Sequence, residues 1–254
     1  MTVADIYVRA GRYVARCPWL FLAVVAAEMV QHAIEYRAGF YDGIAAMKAA
    51  EGDVLRMAMG HVKVLLLFAT TYWALRFLAA GDDPAAPTRR DPRAMALYVP
   101  VMLWGVFWLL VVQDGPILAR AMNVPARPLG IGLLVVILAS TAFEVTLSAW
   151  KVSAATGDGG VGFRRSIRMT RGHYAWSLGM TIAAMLPAMV LHYALAFAAL
   201  GRGPMATWTV LLGDSLLVGY MAPVMAAAVF AVAQRVGGEA RSADAHLTRA
   251  GART

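Results

Sequence analysis

The stretch "AAEMVQHAIEY", residues 26–36, carries the residues of this chain best suited to chemistry. Glu28, His32 and Glu35 stand at i, i+4 and i+7, and at about 100° per residue they share one face of a helix. Carboxylate and imidazole together can relay protons, hold a polar ligand, or bind zinc, iron or manganese. The run "CPWLFLAVV" precedes them, so the face belongs to an apolar helix. Counted from the start of that run, Glu28 lies roughly 16 Å in by helix rise, near the centre of a bilayer. A charge there costs about 2.5–3.5 kcal/mol on insertion scales, so these groups must face protein and are functional candidates by default.

The elements that position them are six apolar blocks, about 17–36, 57–79, 95–113, 129–150, 174–200 and 207–234. Each is near or above the roughly 20 residues that cross about 30 Å of hydrocarbon as a helix. The chain is 60% hydrophobic and only 15% charged, with mean hydropathy +0.62. Period-2 alternation is weak, which argues against a barrel. The expected fold is all-α and polytopic, with six transmembrane helices in one membrane domain, residues 1–235, and a disordered cytoplasmic tail, 236–254, polar and rich in small residues.

Net charge is +8. Counting Arg76 at the inner end of block 2, sixteen of the 23 Lys and Arg fall before the first block, between blocks 2 and 3, between 4 and 5, and after 6. The positive-inside rule then puts both termini in the cytoplasm of a bacterial inner membrane. These arginines border hydrophobic spans, so anionic lipid is the expected partner and nucleic acid is not. A membrane-protein partner stays open. Cys17 is the sole cysteine, which excludes an internal disulfide and a Cys-based metal site. Arg9, Arg12, Arg16, the run 19–27 and Val25-Ala26-Ala27 also resemble a signal peptide cleaved after Ala27. The apolar character resuming after Glu28 favours retention.

With this topology, His32 and Glu35 approach the outer surface. His61 and Lys63 begin span 2 there, Asp114 closes span 3, and His192 and Asp214 lie about two turns inside spans 5 and 6. Glu28, His32, His61, His192 and Asp214 are therefore the candidate ligand-binding residues. Glu28, His32 and His61 are the candidate metal ligands, and no other cofactor is expected. In the inner half, Glu144 and Arg76 could pair, and Glu35 is expected to be solvated at the interface. Three readings stay open: an outward-facing polar cavity for a polar or charged ligand, a metal site, and a structural lock in which Glu28 pairs with Lys63 or a histidine. The spacing is neither the Glu-x-x-His of bundle metal sites nor the His-Glu-x-x-His of metalloproteases. The serines lack a Gly-x-Ser-x-Gly setting, so nothing selects catalysis. Pro100, Pro187 and Pro223 fall inside spans 3, 5 and 6, where proline tends to kink a helix.

Two basic segments read as amphipathic interfacial helices preceding spans 1 and 5. In 1–16, Arg9, Arg12 and Arg16 form one stripe opposite Ile6, Ala10, Tyr13 and Cys17. In 162–173, Arg164, Arg168 and Arg171 face away from Phe163, Ile167 and Thr170. These six arginines are the expected lipid-headgroup contacts.

The segment "FRRSIRMTRGHYAWSLGM", 163–180, resembles a family of six-helix bacterial inner-membrane proteins. That family includes YciC-like proteins and the membrane domain joined to some glycerophosphodiester phosphodiesterases. Its basic segment of the form "RRSWRLTRGNFWRL" is matched here by Arg164, Arg165, Ser166, Arg168, Thr170, Arg171, Gly172 and Trp176, while Ile167, His173 and Ala175 depart from it. The start "AGRYVARCPWLFL", 10–22, is also similar. The resemblance implies an envelope or lipid-related setting and carries over no catalytic residue. The functional expectation is a non-enzymatic inner-membrane module that binds or passes a lipid or small polar ligand. The alternatives are a structural or accessory subunit and a metal-dependent membrane enzyme.

Overall fold

Thr2 opens the first helix with a reciprocal cap, its hydroxyl accepting from Asp5 N–H while its own N–H donates to the Asp5 carboxylate. That helix, α1 (Val3–Arg16), ends at Cys17 because Pro18 follows. Proline excludes the residue before it from the helical region, and Cys17 sits at φ −127°, ψ 52°. Pro18 then fills the first position of α2 (Pro18–Arg37), where its missing N–H costs nothing. The chain turns by 95° between the two helices.

The chain continues through α3 (Ile44–Ala50), α4 (Val54–Ala79), α5 (Pro92–Leu109), α6 (Gly115–Ala121), α7 (Ala126–Glu144), α8 (Ser148–Ala155), α9 (Phe163–Thr170), α10 (Tyr174–Ala198) and α11 (Pro204–Gly251). This computed structural model describes the backbone of residues 1–251, and the side chains of these other than Arg120, Ala126 and those from 239 on. No strand occurs among the described residues. One π-helical turn, Leu110–Asp114, joins α5 to α6. α10 and α11 run on through Pro187 and Pro223. Five helical stretches are long and apolar enough to cross a membrane, and the bent pair α1–α2 makes a sixth. The fold is thus the all-α, polytopic one the sequence predicts.

α11 is the axis of the bundle, flanked by α1, α2, α4, α8 and α10. Ala226, Ala227, Ala228 and Ala231 are buried along it, small side chains that let neighbouring backbones approach. At Gly219 the approach is close: a Cβ there would lie 2.7 Å from Val25 and 2.9 Å from Phe21 of α2. The outer helices show the opposite pattern. Leu103 and Phe107 of α5, Leu134 and Leu138 of α7, and Leu186 and Phe197 of α10 are exposed. Exposed apolar surface on that scale needs lipid as its solvent.

The structure departs from the sequence reading at several points. α1 buries Ile6, Ala10 and Tyr13 in the protein core, with Tyr13 edge-on to Phe77 at 5.5 Å, so its apolar face covers the bundle instead of lipid. Arg12 pairs with Asp82 at 3.1 Å and Arg16 donates to the Asp82 carbonyl, tying α1 to the α4–α5 loop, while Arg9 lies over the Phe230 ring. On α9 the inward face is Ser166 and Thr170, whose hydroxyls donate to the Thr146 carbonyl, and Arg164, Arg168 and Arg171 are exposed as expected. Glu144 does not meet Arg76. It pairs with Lys151 and accepts from the Trp104 indole, whereas Arg76 donates to the Ala86 and Arg89 carbonyls and lies 3.6 Å from Asp91. Past the expected domain boundary at 235, Val236 is 2% exposed and Gly237 and Gly238 continue the helix. Extending a formed helix needs no new nucleus. The rest of the expected tail, 239–254, lies outside the fully described residues.

Candidate functional site: a buried cluster between α2 and α11

α2 turns its polar stripe inward. Glu28, Gln31, His32 and Glu35 are all buried, facing α4 and α11. Asp214 comes from α11, ten residues after its start, and Glu28 lies ten residues after the start of α2. Each is therefore roughly 15 Å along its helix from opposite ends of the bundle. Glu28 is 1%, His32 5% and Asp214 0% exposed.

The His32 ring is fixed from one side. Nδ1 lies 2.8 Å from the Tyr41 hydroxyl and 3.2 Å from Glu35 Oε2. The Tyr41 hydroxyl spends its proton on Glu35 Oε2, at 2.6 Å, so its oxygen can only accept from the imidazole. Nδ1 therefore carries a proton. Burial and then the Glu35 charge push the Tyr41 phenol up, keeping it neutral and a donor. Tyr41 reaches this position because the loop after α2 folds back through Phe40–Asp42, between Gly39 at φ 72° and Gly43 at φ 145°. Both angles lie where glycine is at ease and other residues are not. Glu35 is held further by Gln31 at 3.2 Å and by Arg56 at 2.9 Å, with the Arg56 guanidinium over the Phe40 ring.

The other ring nitrogen is left open. His32 Nε2 lies 3.3 Å from Asp214 Oδ2 and 3.6 Å from Glu28 Oε1. His32 Nε2 and Asp214 Oδ2 are both buried with no hydrogen bond among the described residues. The remaining oxygens are engaged. Asp214 Oδ1 pairs with His192 Nδ1 at 2.7 Å, and Lys63 Nζ donates to Glu28 Oε1 at 3.2 Å, with Oε2 at 3.1 Å. Three carboxylates thus face two permanent cations, Lys63 and Arg56. A neutral imidazole would point its Nε2 lone pair at two anionic oxygens. The point between Nε2, Glu28 and Asp214 therefore calls for a positive charge, either a proton on Nε2 or a bound ion. One ligand atom each from Glu28, His32 and Asp214 lies within 4.8 Å of the others.

Four of the five sequence candidates, Glu28, His32, His192 and Asp214, thus come together. His61 does not join them. Its Nε2 meets Asp114 at 2.9 Å, its Nδ1 meets the Met57 carbonyl at 2.7 Å, and Gln113 of the π-helical turn completes this separate pair. Asp214 takes the place expected for His61 among the metal-ligand candidates. Glu35, expected in solvent, is 4% exposed. Gln31, Arg56 and Tyr41 were not among the residues singled out. The glycines flanking Tyr41 are the one sequence signal that its loop folds back. Two surface grooves lie elsewhere, one beside Arg202–Val210 and one beside Arg76 and Asp91.

No protein-family model, curated protein or solved structure matches this chain, so the resemblance at 163–180 rests on its own residues.

Proposed function

We propose that this chain is a non-enzymatic integral membrane module that binds, or passes, a small cation or small polar ligand at the cluster of Glu28, His32 and Asp214. The observation that carries this reading is the pair of buried, unbonded atoms, His32 Nε2 and Asp214 Oδ2, that face one point beside the Glu28 carboxylate. Leaving a buried polar group unsatisfied costs about 1–3 kcal/mol, more when it is charged. Two such atoms at mid-span make sense where an occupant satisfies them. The surrounding ring of Tyr41, Glu35, His192 and Lys63 holds the open atoms in place. The setting we propose is a bacterial inner membrane with both termini cytoplasmic, supported by the charge bias of the connecting segments and by the exposed stripe Arg164, Arg168 and Arg171, suited to anionic headgroups.

A helix lock is the second reading. Lys63–Glu28 joins α4 to α2, and His192–Asp214 joins α10 to α11. Thermal unfolding of the purified protein against a panel of mono- and divalent cations and small polar compounds separates the two. A ligand at 100 times its Kd adds about 2.7 kcal/mol of stability. The binding account expects such a shift in wild type and none in His32→Gln or Asp214→Asn. A panel without any shift, with both variants less stable than wild type, supports the lock.

A further inference from the structure

The geometry points to a divalent first-row transition metal as the occupant, bound by His32 Nε2, Asp214 Oδ2 and one carboxylate oxygen of Glu28. This rests on the binding reading above and narrows it to one class of ligand.

Distance is the first argument. Zinc bonds to histidine nitrogen and carboxylate oxygen are about 2.0–2.1 Å, so two ligands of a tetrahedron stand about 3.3–3.4 Å apart. Here Nε2 lies 3.3 Å from Asp214 Oδ2 and 3.6 Å from Glu28 Oε1, and the third edge is within 4.8 Å. Two edges thus match or approach the spacing of tetrahedral corners, and no fourth Asp, Glu, His or Cys ligand joins the group among the described residues.

Donor chemistry is the second. Calcium and magnesium take oxygen ligands, whereas an imidazole nitrogen beside carboxylates suits zinc and its first-row neighbours. Tautomer is the third. The Tyr41 hydroxyl and Glu35 hold the proton on Nδ1, which leaves Nε2 as the nitrogen with a lone pair to give. A ligating histidine commonly donates its other N–H to an oxygen partner in this way. Asp214 is oriented by His192 through its second oxygen, and Glu28 by Lys63. Charge gives the fourth. With His32 and His192 neutral, the three carboxylates exceed Lys63 and Arg56 by one charge, which a divalent ion offsets.

The test is zinc binding to the full chain in detergent, stripped with chelator, followed by calorimetry and elemental analysis, with gel filtration to show that each variant is folded. The expected result is one zinc per chain, abolished in His32→Gln and in Asp214→Asn and retained in His61→Ala. Tyr41→Phe, which keeps the ring and removes the oxygen next to Nδ1, should weaken zinc by about 10–100-fold. Excess magnesium or calcium should not displace it. If either ligand variant fails to fold, the other decides. Three results would overturn the proposal: no stoichiometric zinc in wild type, zinc retained without His32 and Asp214, or zinc lost equally in His61→Ala. Should zinc fail while another ligand still stabilises wild type and not His32→Gln, only the metal class falls. Should nothing stabilise wild type, the binding reading falls with it.

Discussion

His32 Nε2 and Asp214 Oδ2 stand 3.3 Å apart between the first and last membrane helices, and neither atom has a hydrogen bond. Every other polar atom of the two side chains is engaged, by Tyr41 and Glu35 on one side and by His192 on the other. An arrangement that satisfies the back of each group and leaves the front open is what a binding site requires. The consequences of this packing can be measured one contact at a time.

Lys63 is the cation that Glu28 depends on. Removing one partner of a buried pair costs about 3–5 kcal/mol, because the other charge is left uncompensated. Lys63 is partly exposed, so Lys63→Met should fall near the low end of that range. The double variant Glu28→Gln with Lys63→Met should recover most of the loss in thermal unfolding. Additive losses would show that the pair does not interact.

Gly219 marks a close approach of α11 to α2. A methyl there must displace Val25 and Phe21, and overpacking of this kind typically costs about 1–3 kcal/mol. Gly219→Ala should lower the unfolding temperature. Gly213→Ala, with nothing within 4 Å of its Cβ, should be neutral or stabilising by up to about 1 kcal/mol.

α1 is held by its apolar face more than by its arginines. Ile6→Ala should cost about 2–5 kcal/mol, since Ile6 is fully buried. Arg12→Ala should cost about 1 kcal/mol or less, because the Arg12 side chain is 54% exposed where it meets Asp82. Equal losses, read by chemical denaturation in detergent, would contradict this ranking.

Asp91 caps α5 and titrates outside the membrane spans. Its carboxylate accepts from Ala94 N–H, and this bond, followed by the charge of Arg76, holds its pKa below the ordinary aspartate value. A folded pKa below the unfolded one means that the stabilisation is present above the unfolded value. It is then lost as pH falls through the folded one. The stability gap between wild type and Asp91→Asn should therefore be full at neutral pH and should close in acid. A gap that is independent of pH would contradict the capping role.

Much of this was legible in the sequence. The i, i+4, i+7 spacing of Glu28, His32 and Glu35 specified one helical face, and depth in an apolar run specified that it face inward. Helix order around the bundle was not legible, because spans carry no label for their neighbours, so His61 and Asp214 could not be ranked by proximity to His32. Structure resolves this by placing α11 against α2, while His61 of α4 turns to Asp114. Glu35 was misread because its burial depends on a loop. The turn through Gly39 and Gly43 returns Tyr41, and Arg56 reaches over from the first turn of α4, to cover a carboxylate near the end of its own helix. The arginine stripe of α1 was visible, but its apolar face fits protein as well as it fits lipid.

The most direct measurement is native mass spectrometry of gently extracted wild-type protein beside Glu28→Gln, His32→Gln and Asp214→Asn. The account predicts a bound species on wild type that all three variants lose, while His61→Ala keeps it. Identical unliganded masses across the whole set, with unfolding temperatures lowered only in the three cluster variants, would contradict it and leave the cluster as a lock between helices.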